Sequence, residues 1–259
     1  MALKALVGTA QDLWRSRLLP KRVRPQDTRF AFARILLAPE WKDGAELWIS
    51  KGDNKQQGSW LSPGPIFELM DVLATVISVR TSLGMVATIS FDRVDMVKPV
   101  YHGDLIRLEG EIIALNKSSM AIQVSGFRHD LPSGQFVHTL ESTVTMVAID
   151  RFGRKRCGLP ELFDPNRAEY CKKVRDMAER RREQFTRWRG EQAAVDDLAF
   201  ISKGSIASDD TKDEYVAISD TTIELRHWFL PRNLNMNNSL FGGDLLAWMV
   251  GSSGGLLSM

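Results

Sequence analysis

The chain has 259 residues, 44% of them apolar and 25% charged, which is ordinary globular composition and excludes wholesale disorder. Its net charge of +2 is too small to mark a nucleic-acid binder by composition alone. The two cysteines, Cys157 and Cys171, lack CxxC spacing, so neither a zinc site nor a thioredoxin-like motif is expected. No uninterrupted apolar run approaches the roughly 18 residues of a membrane-spanning helix.

The first 27 residues carry an apolar stripe at helical spacing: Leu3, Leu6, Val7, Ala10, Leu13, Trp14 and Leu18. Lys4, Arg15, Arg17, Lys21, Arg22 and Arg24 surround it, and Asp12 is the one acid before Asp27. Two readings stand side by side: a mitochondrial presequence, or a helix that docks on the following domain through the same stripe.

Thr28 to Leu37 alternates as a strand does, with Phe30, Phe32 and Arg34 on one side and Ala31, Ala33 and Ile35 on the other. A short second piece is expected at Glu46 to Ser50, followed by a polar loop from Gly52 to Gly58. Ser62-Pro63-Gly64-Pro65 predicts a helix start near Ser62. From Ile66 to Val79 that helix is apolar nearly all round, so it must be buried on most sides. Four strand-like runs follow: Met85–Val97, Asp104–Leu115, Met120–Arg128 and Gln135–Asp150. Turn residues separate them, so an antiparallel sheet wrapped round the helix is the simplest packing.

Asn166 to Gln192 predicts a long charged linker helix. Its Arg180-Arg181-Arg182 run fits either a solvated helix face or a phosphate-rich partner such as RNA, the former being preferred. Then the opening pattern repeats. Thr221 to Leu230 alternates like Thr28 to Leu37, a polar loop spans Asn233 to Ser239, and Phe241-Gly242-Gly243 opens a second apolar helix.

Phe241-Gly242-Gly243-x-Leu245-Leu246-x-x-Met249, with Asn235 seven residues before the first Gly, resembles the central-helix motif of hotdog acyl-CoA thioesterases. Gly64 with Phe67, Met70 and Asp71 resembles the same motif in the first unit. The strands around Val94–Val100 with Gly103-Asp104, Asn116–Met120 and Val147–Arg156 match that family in order. The arrangement most resembles the double-hotdog enzymes of the mitochondrial acyl-coenzyme A thioesterase 9 type.

The resemblance implies an α+β hotdog fold, an antiparallel sheet wrapped round a central helix, with one complete repeat and the start of a second. It divides the chain into a leader (1–27), a first hotdog (28–163), a linker helix and loop (164–215) and a truncated second hotdog (216–259). It implies hydrolysis of fatty or short acyl-CoA in the mitochondrial matrix, with CoA as part of the substrate and no cofactor or metal.

In such enzymes a helix N-terminus and an Asn polarise the thioester carbonyl, while a carboxylate acts as base or nucleophile. Carried over, Asp71 takes the carboxylate role, and Asn235 with the Gly243 N–H takes the polarising role. The second repeat holds Val250 where the first holds Asp71, and the first repeat's Asn position falls near Gln56, so one composite site is expected. Arg151, Arg154, Lys155 and Arg156 are candidates for the CoA phosphates, or a solvated strand exit.

The histidines, His102, His129, His138 and His227, show no ligand spacing and read as turn or sheet-face residues. Expected partners are acyl-CoA and further copies of the chain through hotdog pairing, or a partner chain covering the truncated repeat. An alternative function is a catalytically silent hotdog subunit of a mitochondrial complex. That reading draws on Pro63 and Pro65, which remove N–H donors from the first helix entrance.

Overall fold

The computed structural model describes residues 14, 17–36, 63–92, 94–101, 103–197, 224–235 and 237–256. In chain order the elements are β1 (Arg22–Val23), β2 (Phe30–Ile35), α1 (Gly64–Ser82), β3 (Val86–Phe91), β4 (Asp95–Met96), β5 (Leu105–Leu115), β6 (Ser119–Asp130), β7 (Gln135–Ala148), β8 (Glu161–Leu162), α2 (Ala168–Asp196) and α3 (Gly242–Leu256).

Helix α1 starts one residue later than the serine cap predicts, because Pro63 is its cap and the N–H groups of Ile66 and Phe67 close on the Pro63 carbonyl. It stops at Leu83, a left-handed residue (φ 50°) whose N–H returns to Val79. Between these ends Ile66, Met70, Leu73, Ala74 and Ile77 are fully buried.

The six-stranded antiparallel sheet runs β2-β5-β6-β7-β3, with β4 also pairing with β7. Alternation gives it two faces. Ile106, Leu108, Ile112, Met120, Ile122, Val124, Leu140, Val144 and Met146 form the inner face and share one core with α1. The apolar circumference of α1 is thereby buried by the sheet on one side and, as described below, by α3 on another. At roughly 25 cal/mol per Å2 of apolar surface, this packing is the main source of stability.

The outer face carries Arg107, Glu109, Glu111, Gln123 and Ser125, and α2 lies against it. Tyr170 near the start of α2 donates its hydroxyl to Glu111, whose carboxylate also pairs with Arg29 at 2.5 Å. Further along, Arg182 donates to Asn116 (2.7 Å) and Arg181 faces Asp92 (3.9 Å). Two of the three arginines in the basic run thus contact the sheet and its turns, and Cys171, on the same helix, is buried. Cys157 and Cys171 are both free thiols.

Several expectations change. The run Met85–Val97 is two strands rather than one, since pairing of β3 with β7 ends at Phe91 and resumes in β4 at Asp95. The described part of the second alternating run makes no strand: residues 224–230 join no ladder. Alternation predicts a strand only where a neighbour offers hydrogen bonds, and this segment instead lays His227 and Phe229 against Trp248 of α3 (5.6 and 6.0 Å between centroids) while Trp228 stays 89% exposed. The end of the expected leader is bound to the fold by a short strand. Arg22 and Val23 pair in parallel with Glu161 and Leu162, and Arg22 lies 4.5 Å over the ring of Phe163. The apolar stripe before Trp14, the piece at 46–50, Gln56 and His102 lie outside the described residues. Among the described residues no helix is long and apolar enough to cross a membrane.

Candidate active site

The site lies where α1 and α3 cross. Close approach requires small residues on both helices. A Cβ on Gly64 would sit 3.2 Å from Ala247, and a Cβ on Gly243 only 2.7 Å from the backbone Cα of Glu68. Gly64 near Ala247 and Gly243 near Glu68 give an antiparallel pair. At position 243 glycine is therefore a matter of space.

This packing carries the N-terminus of α3 to Asp71, in the second turn of α1. The first N–H groups of a helix have no partner within it. One of them, on Gly243, donates to Asp71 Oδ2 at 2.8 Å. The other carboxylate oxygen, Oδ1, accepts from Thr88 Oγ1 at 2.6 Å. Thr88 belongs to β3, an edge strand, and the register of β3 against β7 shifts between Thr88 and Ser90. Such a bulge re-aims side chains, and here Thr88, opposite Met146, turns inward while Ile89 is 62% exposed.

Asp71 is completely buried. Burial pushes its carboxyl above the usual carboxylate range, the charge of Asp244 adds to that push, and the bonds from Thr88 and Gly243 oppose it. A buried carboxylate with a raised proton affinity and two hydrogen-bond donors is an environment in which a carboxyl can take up and release a proton.

Asn235 stands in the loop that leads into α3. Its side-chain oxygen accepts from the Asn237 N–H (2.8 Å), the Ser239 N–H (3.2 Å) and the Ser239 hydroxyl (3.0 Å). This is turn chemistry, as an Asn-rich loop predicts. It also fixes the carboxamide's orientation, leaving Nδ2 as its donor on the other side. Asn237 Nδ2 ties the loop to the Val86 carbonyl of β3 (2.8 Å), two residues before Thr88.

Of the expected residues, the fold brings Asp71 and Gly243 into direct contact, and Asn235 lies in the loop before them. Thr88 was not singled out from the sequence. A threonine in a β-branched strand carries no signal of its own, and only the bulge and the helix position reveal it.

The four basic candidates for CoA phosphates divide. Arg151, Arg154 and Lys155 are exposed, although Arg154 pairs with Asp150 (2.9 Å) and both Arg151 and Arg154 lie over the Phe152 ring. Arg156 is tied more closely into the fold: its Nη2 donates to the Ser82 carbonyl at 2.6 Å, satisfying the C-terminal end of α1. Among the described residues, no group of three or more His, Cys, Asp or Glu side chains could hold a metal ion.

With this geometry established, comparison with known proteins identifies the architecture. Residues 61–134 match the thioesterase superfamily. The solved structure of the acyl-CoA hydrolase of Staphylococcus aureus with coenzyme A superposes with a TM-score of 0.54 at 17% identity, covering 68% of this chain and 98% of that one. An apo-hexameric acyl-CoA thioesterase gives 0.52 at 25% identity, covering 68% and 99%.

The chain carries a hotdog fold.

By sequence, the chain is similar to an uncharacterized acyl-CoA thioester hydrolase of Zymomonas mobilis, 26% identical over 113 residues, or 44% of this chain and 72% of that protein. One from Buchnera aphidicola is 29% identical over 115 residues, 43% of this chain and 85% of that protein. Within the hotdog, α1 is the central helix, and the Asp71–Gly243 contact lies at the exposed-edge end of its sheet, beside β3.

Proposed function

We propose that the protein is an acyl-CoA thioester hydrolase, releasing free acid and CoA from a composite site in which α1 supplies Asp71 and α3 supplies the Gly243 N–H. The observation that carries this reading is the buried carboxylate of Asp71 bonded to an otherwise unpaired N–H at a helix N-terminus. The names of the similar proteins support the reaction class. Solved forms of the S. aureus enzyme carry separate alanine substitutions at an asparagine, an aspartate and a threonine, the last two 17 positions apart. Asp71 and Thr88 have the same separation here, which supports their joint role.

On this reading the thioester oxygen takes the Gly243 N–H from Asp71, with Asn235 Nδ2 as a second donor. The released carboxylate removes a proton from water as the new C–O bond forms at the carbonyl carbon. Charge developing on the oxygen is held by the α3 N-terminus, in surroundings where such dipoles count for more than in water. Collapse breaks the C–S bond, and the proton on Asp71 passes to the leaving thiolate. Direct attack by Asp71 on the carbonyl, through an anhydride that water then opens, uses the same groups. Thr88 orients the carboxylate in either route. Arg151, Arg154 and Lys155 supply exposed charge for the CoA phosphates. The reading calls on no cofactor beyond the CoA portion of the substrate.

The same reading has the chain assembling through hotdog pairing, supported by the exposed edge of β3 and by a hexameric relative of similar fold. Its location in the mitochondrial matrix rests on the basic leader, and import assays with residues 1–27 removed test it.

The second reading is a catalytically silent hotdog subunit. It is favoured by the same hydrogen bond taken as a helix cap, since a carboxylate at a helix N-terminus stabilises it without any reaction. Hydrolysis of an acyl-CoA series, with thiol release measured for the full chain and for Asp71→Asn, separates the two. Thiol release by the parent and its loss in the variant is the expected result. Equal rates in both would remove Asp71 from the chemistry.

A further inference from the structure

Asp244 follows Gly243 directly and is the one acid in the first turn of α3. Its Oδ2 accepts from Asn233 Nδ2 at 2.7 Å. Asn233 in turn closes the chain on both sides. Its Oδ1 accepts from the Leu230 N–H (2.9 Å), its own N–H returns to the Leu230 carbonyl (2.8 Å), and its carbonyl accepts from the Phe241 N–H (2.8 Å). One asparagine therefore binds the segment before the loop, the residue at the helix entrance and the first helical turn. Among the described residues, Asp244 is the α3 residue to which the Asn233 side chain donates.

We propose that Asp244 is the positioning residue of this site: through Asn233 it holds the first turn of α3 where the Gly243 N–H meets Asp71. This rests on the reading of Asp71 as the base. A helix-dipole role alone would account for an acid in a first turn. It would not account for the bond to Asn233, nor for an acid beside a buried carboxylate, where like charges oppose each other.

The groups around Asp71 are few. Its own helix presents Glu68, which is exposed; β3 presents Thr88; α3 presents Gly242, Gly243 and Asp244. Among the described residues, Asp244 is the charge whose field reaches Asp71. It keeps the carboxyl more basic than burial alone would, and a stronger base removes a proton from water more readily. Asp244 touches neither substrate nor reacting atoms, so its effect is indirect.

The test uses the full chain and two variants. In D244N an amide oxygen can still accept from Asn233, so the geometry is kept while the charge is lost. D244A removes both. Two readouts are taken: the pH dependence of kcat/KM on one acyl-CoA, and the carboxyl carbon-13 NMR titration of Asp71, assigned by its disappearance in D71N. In D244N the Asp71 titration and the acid limb of kcat/KM both move to lower pH, while the rate on the plateau stays within a few-fold of the parent. In D244A hydrolysis falls at least about 10-fold, the scale expected when a reacting group is misplaced by a fraction of an ångström to 1 Å. D244N recovers most of that loss.

An Asp71 titration unchanged in D244N would overturn the charge role, and parental hydrolysis by D244A would overturn the positioning role. If the parent itself hydrolyses no acyl-CoA, the reading of function fails. The NMR titration, and the chemical shift of the Gly243 amide in D244A, still decide the role of Asp244.

Discussion

Gly243 donates its backbone N–H to the carboxylate of Asp71 at 2.8 Å, across 172 positions of sequence. The bond joins the open end of one helix to the side of another, and the proposed chemistry depends on it.

Replacing Asp71 by Asn is expected to lower hydrolysis by about 10^2- to 10^4-fold, the usual worth of a general base. Its effect on stability has the opposite sign. Because burial raises the proton affinity of Asp71, the native state holds this proton more tightly than the unfolded chain does. Its contribution is most favourable at low pH and declines as pH rises from the usual carboxylate range through the raised folded value. Above that window the parent bears the full cost of the buried charge and D71N does not. D71N should therefore be more stable than the parent at pH 7 to 8, by on the order of 1 kcal/mol. The difference should shrink towards pH 4, as followed by denaturant unfolding at each pH.

Gly243→Ala places a methyl group 2.7 Å from the Cα of Glu68, a backbone atom that cannot turn aside. The helices must separate, at a cost of roughly 1–3 kcal/mol for an overpacked contact, and hydrolysis should fall with them. Gly242→Ala meets Asp71 Oδ2 at 3.1 Å and the Thr88 Cβ at 3.2 Å. Its penalty should be smaller in the melting temperature and visible mainly in the rate.

Thr88→Val keeps the shape of the side chain and removes the 2.6 Å bond to Asp71. That bond favours the ionised carboxylate, so its loss should move the acid limb of kcat/KM to higher pH. Thr88→Ser should restore the limb. A profile unchanged in the valine variant would mean that Thr88 does not act on Asp71.

Tyr170→Phe should loosen α2 from the sheet by about 1 kcal/mol, the usual net worth of a hydrogen bond. Hydrogen exchange along residues 168–182 measures this. Burial and the Glu111 carboxylate push the Tyr170 hydroxyl up to about 12. A protonated phenol is the form that docks, so the contribution is complete below pH 10 and is lost as pH rises from 10 through about 12. Faster exchange in α2 over that window, absent in the phenylalanine variant, is the expected signature.

Arg151→Ala with Lys155→Ala should raise KM for acyl-CoA several-fold with kcat and melting temperature unchanged, and the effect should fade in high salt. Arg156→Ala should do the reverse. It exposes the Ser82 carbonyl at the end of α1 and lowers the melting temperature while leaving the salt dependence of KM alone.

Much of the architecture could be read from local pattern. A helix apolar on nearly all sides, Ile66 to Val79, demands cover, and four β-rich runs with turn residues between them supply it. Both requirements are properties of short stretches, and the core bears them out. Pattern went astray where the outcome depends on a distant partner. Thr221 to Leu230 alternates as well as β2 does, yet residues 224–230 join no ladder, because among the described residues no strand lies beside them to accept their hydrogen bonds. Nor does the basic run at 151–156 show by pattern that it is Arg156 that bonds the end of α1.

The amino-acid order was enough to establish the buried central helix, the sheet that wraps it, the glycines at the start of α3 and the candidacy of Asp71, since each is a matter of residue type at short spacing. Tertiary structure alone decided which groups meet. Thr88, Asn233 and Asp244 gain a role only when an edge-strand bulge and two crossing helices bring them round one buried carboxylate. Contacts between residues so far apart in the chain are set by the packing of whole elements and leave no trace in local spacing.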